Sequence, residues 1–232
     1  MRRALAAATL ALALGGCANG EFNPIVEAAV NEILPGERAP GEGEAPAAAG
    51  PVTREQITRA DVATIRARLV GDQRPTFLFA ASDNGGYVTF ASSIRQTLTL
   101  RGSWITASRG LGWDLLSATS SRPDPLVTPI PPGSWPAMVR RSYEFHAFAP
   151  QGRIESFECR YELGAVRDVV ILQRLHRGVE IAETCVGETR SFENLHFADA
   201  ATGFVWRSLQ WLGPQQGLID LELVEPYSGR RS

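Results

Sequence analysis

Gly217-Leu218-Ile219-Asp220-Leu221-Glu222-Leu223-Val224-Glu225 decides the fold. Ile219, Leu221 and Leu223 fall on one face of an extended chain, and Asp220 and Glu222 fall on the other. That two-residue period is the mark of a strand with one face in a core. Working back from it, the same kind of segment recurs between short glycine turns. Ala137–Ala149 leads through Pro150-Gln151-Gly152 into Arg153–Glu162, and Gly164 turns the chain into Val166–Leu175. Gly178 precedes Val179–Val186, Gly187 precedes Thr189–Ala198, and Gly203 begins Phe204–Leu212. These segments predict a mainly β fold, an antiparallel meander curled into a barrel or half-barrel that hides its edges.

Nearer the start, Thr76–Ser82 and Tyr87–Arg95 flank Asp83-Asn84-Gly85-Gly86 and predict a hairpin. Gln96–Arg101 and Ser103–Ala107 read as strands around Gly102. One N-terminal helix is expected before them. Thr53-Arg54-Glu55-Gln56 fits a capping box, Val62, Ile65 and Leu69 follow at helical spacing, and Gly71 ends it. Ser120–Pro136 carries six prolines (Pro123, Pro125, Pro129, Pro131, Pro132 and Pro136). Each proline removes a backbone donor, so this stretch predicts a long ordered surface loop rather than a central strand.

The N-terminus sets the compartment. Arg2 and Arg3 precede an uncharged run of 11 residues, Ala4–Leu14, and then Gly15-Gly16-Cys17. The run is too short to span a bilayer of about 30 Å. The pattern resembles a bacterial lipoprotein signal, which implies cleavage after residue 16 and acylation of Cys17. The expected organisation is a signal peptide over 1–16, a lipidated flexible tether over 17–51, and a β-rich periplasmic domain over 52–232. The Pro, Gly, Glu and Ala of 35–50 suit a spacer. Ala18 follows the anchor where an Asp would signal inner-membrane retention, so the expected site is the outer membrane.

A net charge of −2 excludes nucleic acid as a partner, and all 23 basic residues are Arg. Genome composition accounts for that better than anion recognition does. With Cys17 lipidated, Cys159 and Cys185 remain. Cys159 shares a strand phase with Phe157 and Tyr161, and Cys185 shares one with Val179 and Ile181. In an oxidising compartment the pair reads as a disulfide. Two buried thiols and a redox pair are the alternatives, and no C-x-x-C supports the latter.

The chain shows no catalytic motif: no G-x-S-x-G and no H-E-x-x-H. His146, His176 and His196 lack metal spacing and read as half-exposed strand residues. Asp83, Asp114, Asp220 and Glu222 are carboxylates from which spacing selects no pair. No metal or cofactor is expected. The unusual chemistry lies in Gly102–Leu116, where Trp104, Arg109, Trp113 and Asp114 are candidates to contact a glycan or a partner. The competing reading is a tightly packed bend with Trp113 as a core plug. Trp206 and Trp211 fall on opposite strand faces, one buried and one free to line a groove.

Gly102–Leu115, the Cys159/Cys185 pair, and Gly203-Phe204-Val205-Trp206-Arg207-Ser208-Leu209-Gln210-Trp211-Leu212-Gly213-Pro214 with Gly217–Glu222 together resemble the YjbF/GfcB family of lipoproteins. The resemblance implies an outer-membrane lipoprotein encoded with exopolysaccharide or group 4 capsule genes. Its implied partners are a periplasmic companion protein and a large outer-membrane β-barrel-like protein, and its implied role is polysaccharide secretion. It supplies no catalytic residues. The function expected is that of a non-enzymatic accessory docking to export proteins and to polysaccharide. Alternatives are a polysaccharide-modifying hydrolase or lyase, and a lipid-carrying half-barrel.

Overall fold

The alternation of residues 219–223 is realised. In the computed structural model, which describes residues 52–72, 74–146 and 153–229, Ile219, Leu221 and Leu223 face a shared core. Asp220 and Glu222 face outward into a row of arginines. A short helix, α1 (Arg54–Ala60), is followed by twelve strands. The first five are β1 (Thr64–Leu69), β2 (Thr76–Asn84), β3 (Tyr87–Ala91), β4 (Thr97–Arg101) and β5 (Trp104–Arg109). Then come β6 (Leu115–Ser120), β7 (Met138–Phe145), β8 (Arg153–Ile171), β9 (Arg174–Gly187), β10 (Ser191–Asp199), β11 (Val205–Trp211) and β12 (Leu218–Glu225).

All ladders are antiparallel, and the sheet order is β5-β4-β3-β2-β1-β12-β11-β10-β9-β8-β7-β6. Two meanders, β1–β5 and β6–β12, are thus joined through the β1–β12 ladder, where Arg66 pairs with Glu222 and Ala67 with Leu221. The outer strands β5 and β6 come to lie side by side. The sheet is therefore a nearly closed barrel with one seam, as the long glycine-punctuated strands predict. At the seam Arg109 donates from Nη1 to Leu115 O (2.9 Å) and from Nη2 to Leu116 O (3.3 Å).

Three elements differ from expectation. The helix stops at Ala60, with its capping box intact (Thr53 N donates to Gln56 Oε1, 2.7 Å) and Asp61 in the left-handed cap position. Residues 64–69 form β1 instead. Ile65 and Ala67 point into the core while Arg66 and Arg68 reach Glu222 and Asp220 on the outer wall. Ile65 and Leu69 satisfy helical and extended spacing alike over so short a window, and ladder partners on both sides settle the choice.

Gly164 and Gly178 are not turns. β8 runs through Gly164 with a bulge between Leu163 and Val166, and the chain reverses at Leu172-Gln173, both at positive φ (39° and 68°). That two-residue turn usually recruits Asn-Gly, so its sequence gave no warning. The bulge admits one extra residue and keeps the apolar phase on one face. Finally, β6 is a strand the sequence reading did not separate from its glycine-rich approach. The expected turn at 150–152 lies outside the described residues.

The interior is packed by Trp211, stacked on Phe192 (4.3 Å), with Tyr143, Phe145 and Phe157 edge-on around it. A second cluster lies outside the wall, where Ile57 of α1 packs with Phe79, Ile171 and Val224. Burying Ile57 completely stabilises the docking of α1 by about 1.5–3 kcal/mol. Arg54 fixes the same contact, donating to Leu172 O and Ile171 O at the tip of the β8–β9 hairpin (3.3 Å each).

Candidate functional site

Alternation along β7 places Val139, Arg141, Tyr143 and Phe145 inward. Arg141 is thereby carried into the barrel with its side chain fully buried. A bare cation there would be prohibitive, so its partners are decisive. Its Nε and Nη2 each donate to Asp124 (3.2 Å), Nη1 donates to Glu183 (3.1 Å), and Nη2 also donates to Tyr161 Oη (2.8 Å). The guanidinium lies 4.9 Å from the Trp104 ring centroid, close enough for cation–π attraction.

Glu183 is completed from β10, by Asn194 Nδ2 (2.8 Å) and His196 Nε2 (2.9 Å). Burial alone would push its carboxyl up. The Arg141 guanidinium, with the hydrogen bonds from His196 and Asn194, overrides this and holds it at about 2. Glu183 is therefore a carboxylate, and His196 Nε2 carries the proton between them. Burial drives the Tyr143 hydroxyl up to about 12 and the Tyr161 hydroxyl up as well, in each case opposed by Arg141, so both stay protonated and neutral.

Asp124 reaches this network from the proline-rich segment, a largely exposed ordered loop as its composition suggests, which dips inward at this point. Asp124 and Leu126 are buried, and the segment is held down at two glycines. Gly102 (φ +64°) and Gly203 (φ +73°) sit so close to it that an added Cβ would lie 2.3 Å from Leu126 O and 1.7 Å from Ile130 O. Only glycine fits there. Ser103 N donates to Leu126 O (2.8 Å) and Trp135 Nε1 to Ile130 O (2.9 Å).

Above the segment lies a cleft of about 600 Å³, running between the β4–β5 turn and the end of β6. Trp104, Val127 and Ile130 line its apolar part; Tyr87, Arg101, Arg122 and hydroxyls of Thr119, Ser121 and Thr128 line the rest. Asp124 is part of the lining as well, ion-paired from behind to Arg141, which it shares with Glu183.

The four candidate contact residues separate. Trp104 is buried and belongs to the cleft and the core together. Trp113 is 52% exposed, not a plug. Asp114 and Arg109 are held by the β5–β6 connection: Asp114 accepts from Ser108 Oγ (3.1 Å), Gly110 N (2.9 Å) and Leu111 N (3.1 Å). Cys159 and Cys185 stand opposite one another in the β8–β9 ladder and are joined as a buried disulfide. Glu183 lies beside them, but bonded sulfurs are not free to ligate a metal.

His176 and His196 are buried rather than half-exposed. His176 packs 4.2 Å from Trp206 on the outer wall, and Trp206 is half-buried between it and Phe204. Cys17 lies outside the described residues. The reading from sequence missed Arg141, Asp124, Glu183 and His196 as a set. Three of them stand on the apolar phase of their strands, and that was the available signal.

A mainly β, nearly closed barrel with a filled, charge-paired centre is the class this structure defines. Residues 24–224 match the family described as Group 4 capsule polysaccharide lipoprotein gfcB, YjbF, and the chain belongs to that family. Its fold is similar to that of the hypothetical lipoprotein YmcC from Escherichia coli (K12), with 20% sequence identity and a TM-score of 0.65. That similarity covers 76% of this chain and 90% of YmcC. Among curated proteins, none matches the chain.

Proposed function

We propose that this protein is a non-enzymatic accessory of exopolysaccharide or capsule secretion, held at the outer membrane by a lipid on Cys17. The observation that carries the reading is the family match over residues 24–224. The site supports it against both rivals. The carboxylates that a hydrolase or lyase would need are engaged elsewhere. Asp124 and Glu183 are bound to Arg141, and Asp220 and Glu222 to Arg66, Arg68 and Arg207. A lipid carrier would need an apolar hollow, and this barrel holds an ionic network at its centre.

Docking to an export protein is supported by one face of the β8–β9 ribbon. Leu163, Val166, Val170 and Leu175 lie there 51–65% exposed, an apolar row of the kind that marks protein contacts. The chain enters the domain at Val52, which packs in the same cluster as Leu172 at the ribbon's tip. The row lies on the ribbon face opposite Val169 and Ile171, which pack against that cluster, and is left free for a partner with an apolar face.

The test is a deletion strain in which secreted and periplasmic polysaccharide are measured separately, complemented with wild type, Cys17→Ser, or Val170→Glu with Leu175→Glu. Secretion should fall with glycan retained, and neither variant should restore it. Normal secretion with altered chain length would favour the enzyme reading instead.

A further inference from the structure

We infer that the seam cleft binds an acidic saccharide, a sugar unit bearing a carboxylate, which Arg101 and Arg122 recognise from opposite rims. The inference deepens the export reading and rests on it for the identity of the ligand as a glycan. Its volume of about 600 Å³ suits a short oligosaccharide rather than a single ion.

The electrostatics give the sign. Of the charged groups lining the cleft, Arg101 and Arg122 are cations and Asp124 is the acid. Arg141 binds Asp124 from behind through two nitrogens at 3.2 Å and shares its one charge with Glu183, so one net negative charge in the interior stands against the two cations at the rim. The mouth is left net positive.

The two arginines differ in a way that suits recognition. Arg122 is exposed and makes no hydrogen bond or ion pair among the described residues. A surface cation left without a partner beside a formed cleft is available to a ligand. Arg101 is oriented in advance. Its Nη1 donates to Tyr87 Oη (3.2 Å) and its guanidinium lies 5.0 Å from the Tyr87 ring centroid. The fork therefore loses little freedom when a carboxylate accepts from it. Tyr87 is 36% exposed, and the part of its ring that the Arg101 guanidinium does not cover is apolar surface against which the C–H face of a pyranose can pack. Arg supplies two parallel N–H donors to a carboxylate, which a neutral sugar cannot exploit.

The experiment uses the lipidated mature chain in detergent and two probes that share a backbone, oligogalacturonate and its fully methyl-esterified form. Calorimetric titration should show at least about tenfold tighter binding of the acid, the ratio that corresponds to about 1.4 kcal/mol. Arg122→Ala and Arg101→Ala should each reduce the acid to the affinity of the ester. Arg140→Ala, an exposed arginine on β7 paired with Glu158, should change nothing. Equal affinity for acid and ester, absence of binding to either, or an equal loss in Arg140→Ala would each overturn the inference. If deletion blocks secretion while Arg101→Ala/Arg122→Ala chains secrete normally, the cleft assignment falls and the export reading stands. If the cleft discriminates acid from ester but deletion leaves secretion intact, the export reading is the one that falls.

Discussion

Arg141→Met tests the interior most directly. Methionine keeps much of the length and volume of the arginine stem and removes the charge, leaving Asp124 and Glu183 as two buried carboxylates without their cation. Both acids are almost wholly buried (2% and 0% of the side chain exposed), so water cannot take over. Removing one partner of a buried ion pair costs about 3–5 kcal/mol. That is a large part of the roughly 5–15 kcal/mol by which a domain is stable. With a urea dependence of about 2 kcal/mol per molar, the unfolding midpoint should fall by about 2 M.

A second arm separates charge from packing. Adding Asp124→Asn and Glu183→Gln to Arg141→Met removes all three charges while keeping the side-chain shapes, and should recover much of the loss. The assay is equilibrium unfolding in urea at pH 7, followed by tryptophan fluorescence with the disulfide intact. A midpoint shift below about 0.5 M for the single variant would show that the network does not bear on stability. A triple variant weaker than the single one would show that unpaired charge is not the source of the loss.

The remaining expectations concern pH, the disulfide and the tryptophans. Because Glu183 titrates at about 2 in the folded barrel against an ordinary 4.5, its stabilisation is fully present above about pH 4.5 and is lost as pH falls through 2. The shift corresponds to about 3 kcal/mol, so the acid limb of a stability–pH curve should flatten by about that amount in Glu183→Gln; an unchanged limb would place the acid sensitivity elsewhere. Cys159 and Cys185 are 26 residues apart, and Cys159→Ser with Cys185→Ser should cost roughly 3–4 kcal/mol. Reductant should lower the melting temperature of the wild type and leave the double variant unmoved. Trp104→Ala should cost about 3–5 kcal/mol as a buried aromatic truncation. Trp113→Ala should stay within about 0.5 kcal/mol, and the reverse order would contradict the burial of the two rings.

How much of this was legible varies by element, for physical reasons. β12 could be read directly, since five alternating positions leave one register that buries Ile219, Leu221 and Leu223. The disulfide could be read from strand phase, because Cys159 and Cys185 both follow the apolar set of their strands. β1 could not, since Ile65 and Leu69 fit two periods and its ladder partners lie on β2 and on β12, some 150 residues away. The β8–β9 turn was hidden because Leu172-Gln173 adopts backbone conformations that glycine normally supplies, while the conspicuous Gly164 sits in a bulge. At the site, Arg109 and Asp114 drew notice by composition and turned out to complete a turn. Arg141, Glu183 and His196 were detectable as polar residues on apolar phases, but strand phase alone does not say that they meet.

Asp124 connects the interior to the surface. It arrives on a segment whose prolines cannot join a ladder, and it is fixed from both sides. Arg141 holds its carboxylate, while that same carboxylate accepts from Leu126 N (2.9 Å) and from Ser120 Oγ. The segment so held forms one wall of the cleft, with Gly102 and Gly203 setting how close it can approach the strands. An ion pair retained in a core is seldom justified by stability alone, since apolar replacements often do as well. Here it does something an apolar core could not: it anchors an otherwise unpaired loop at one position and offsets part of the charge of the acid that faces the cleft. The charge paired inside the barrel is thus what lets Arg101 and Arg122 outweigh Asp124 at its mouth. Arg141→Met should accordingly weaken the cleft's preference for carboxylated over esterified glycan under conditions where the barrel remains folded. If that preference survives intact, the interior network and the cleft are independent of one another.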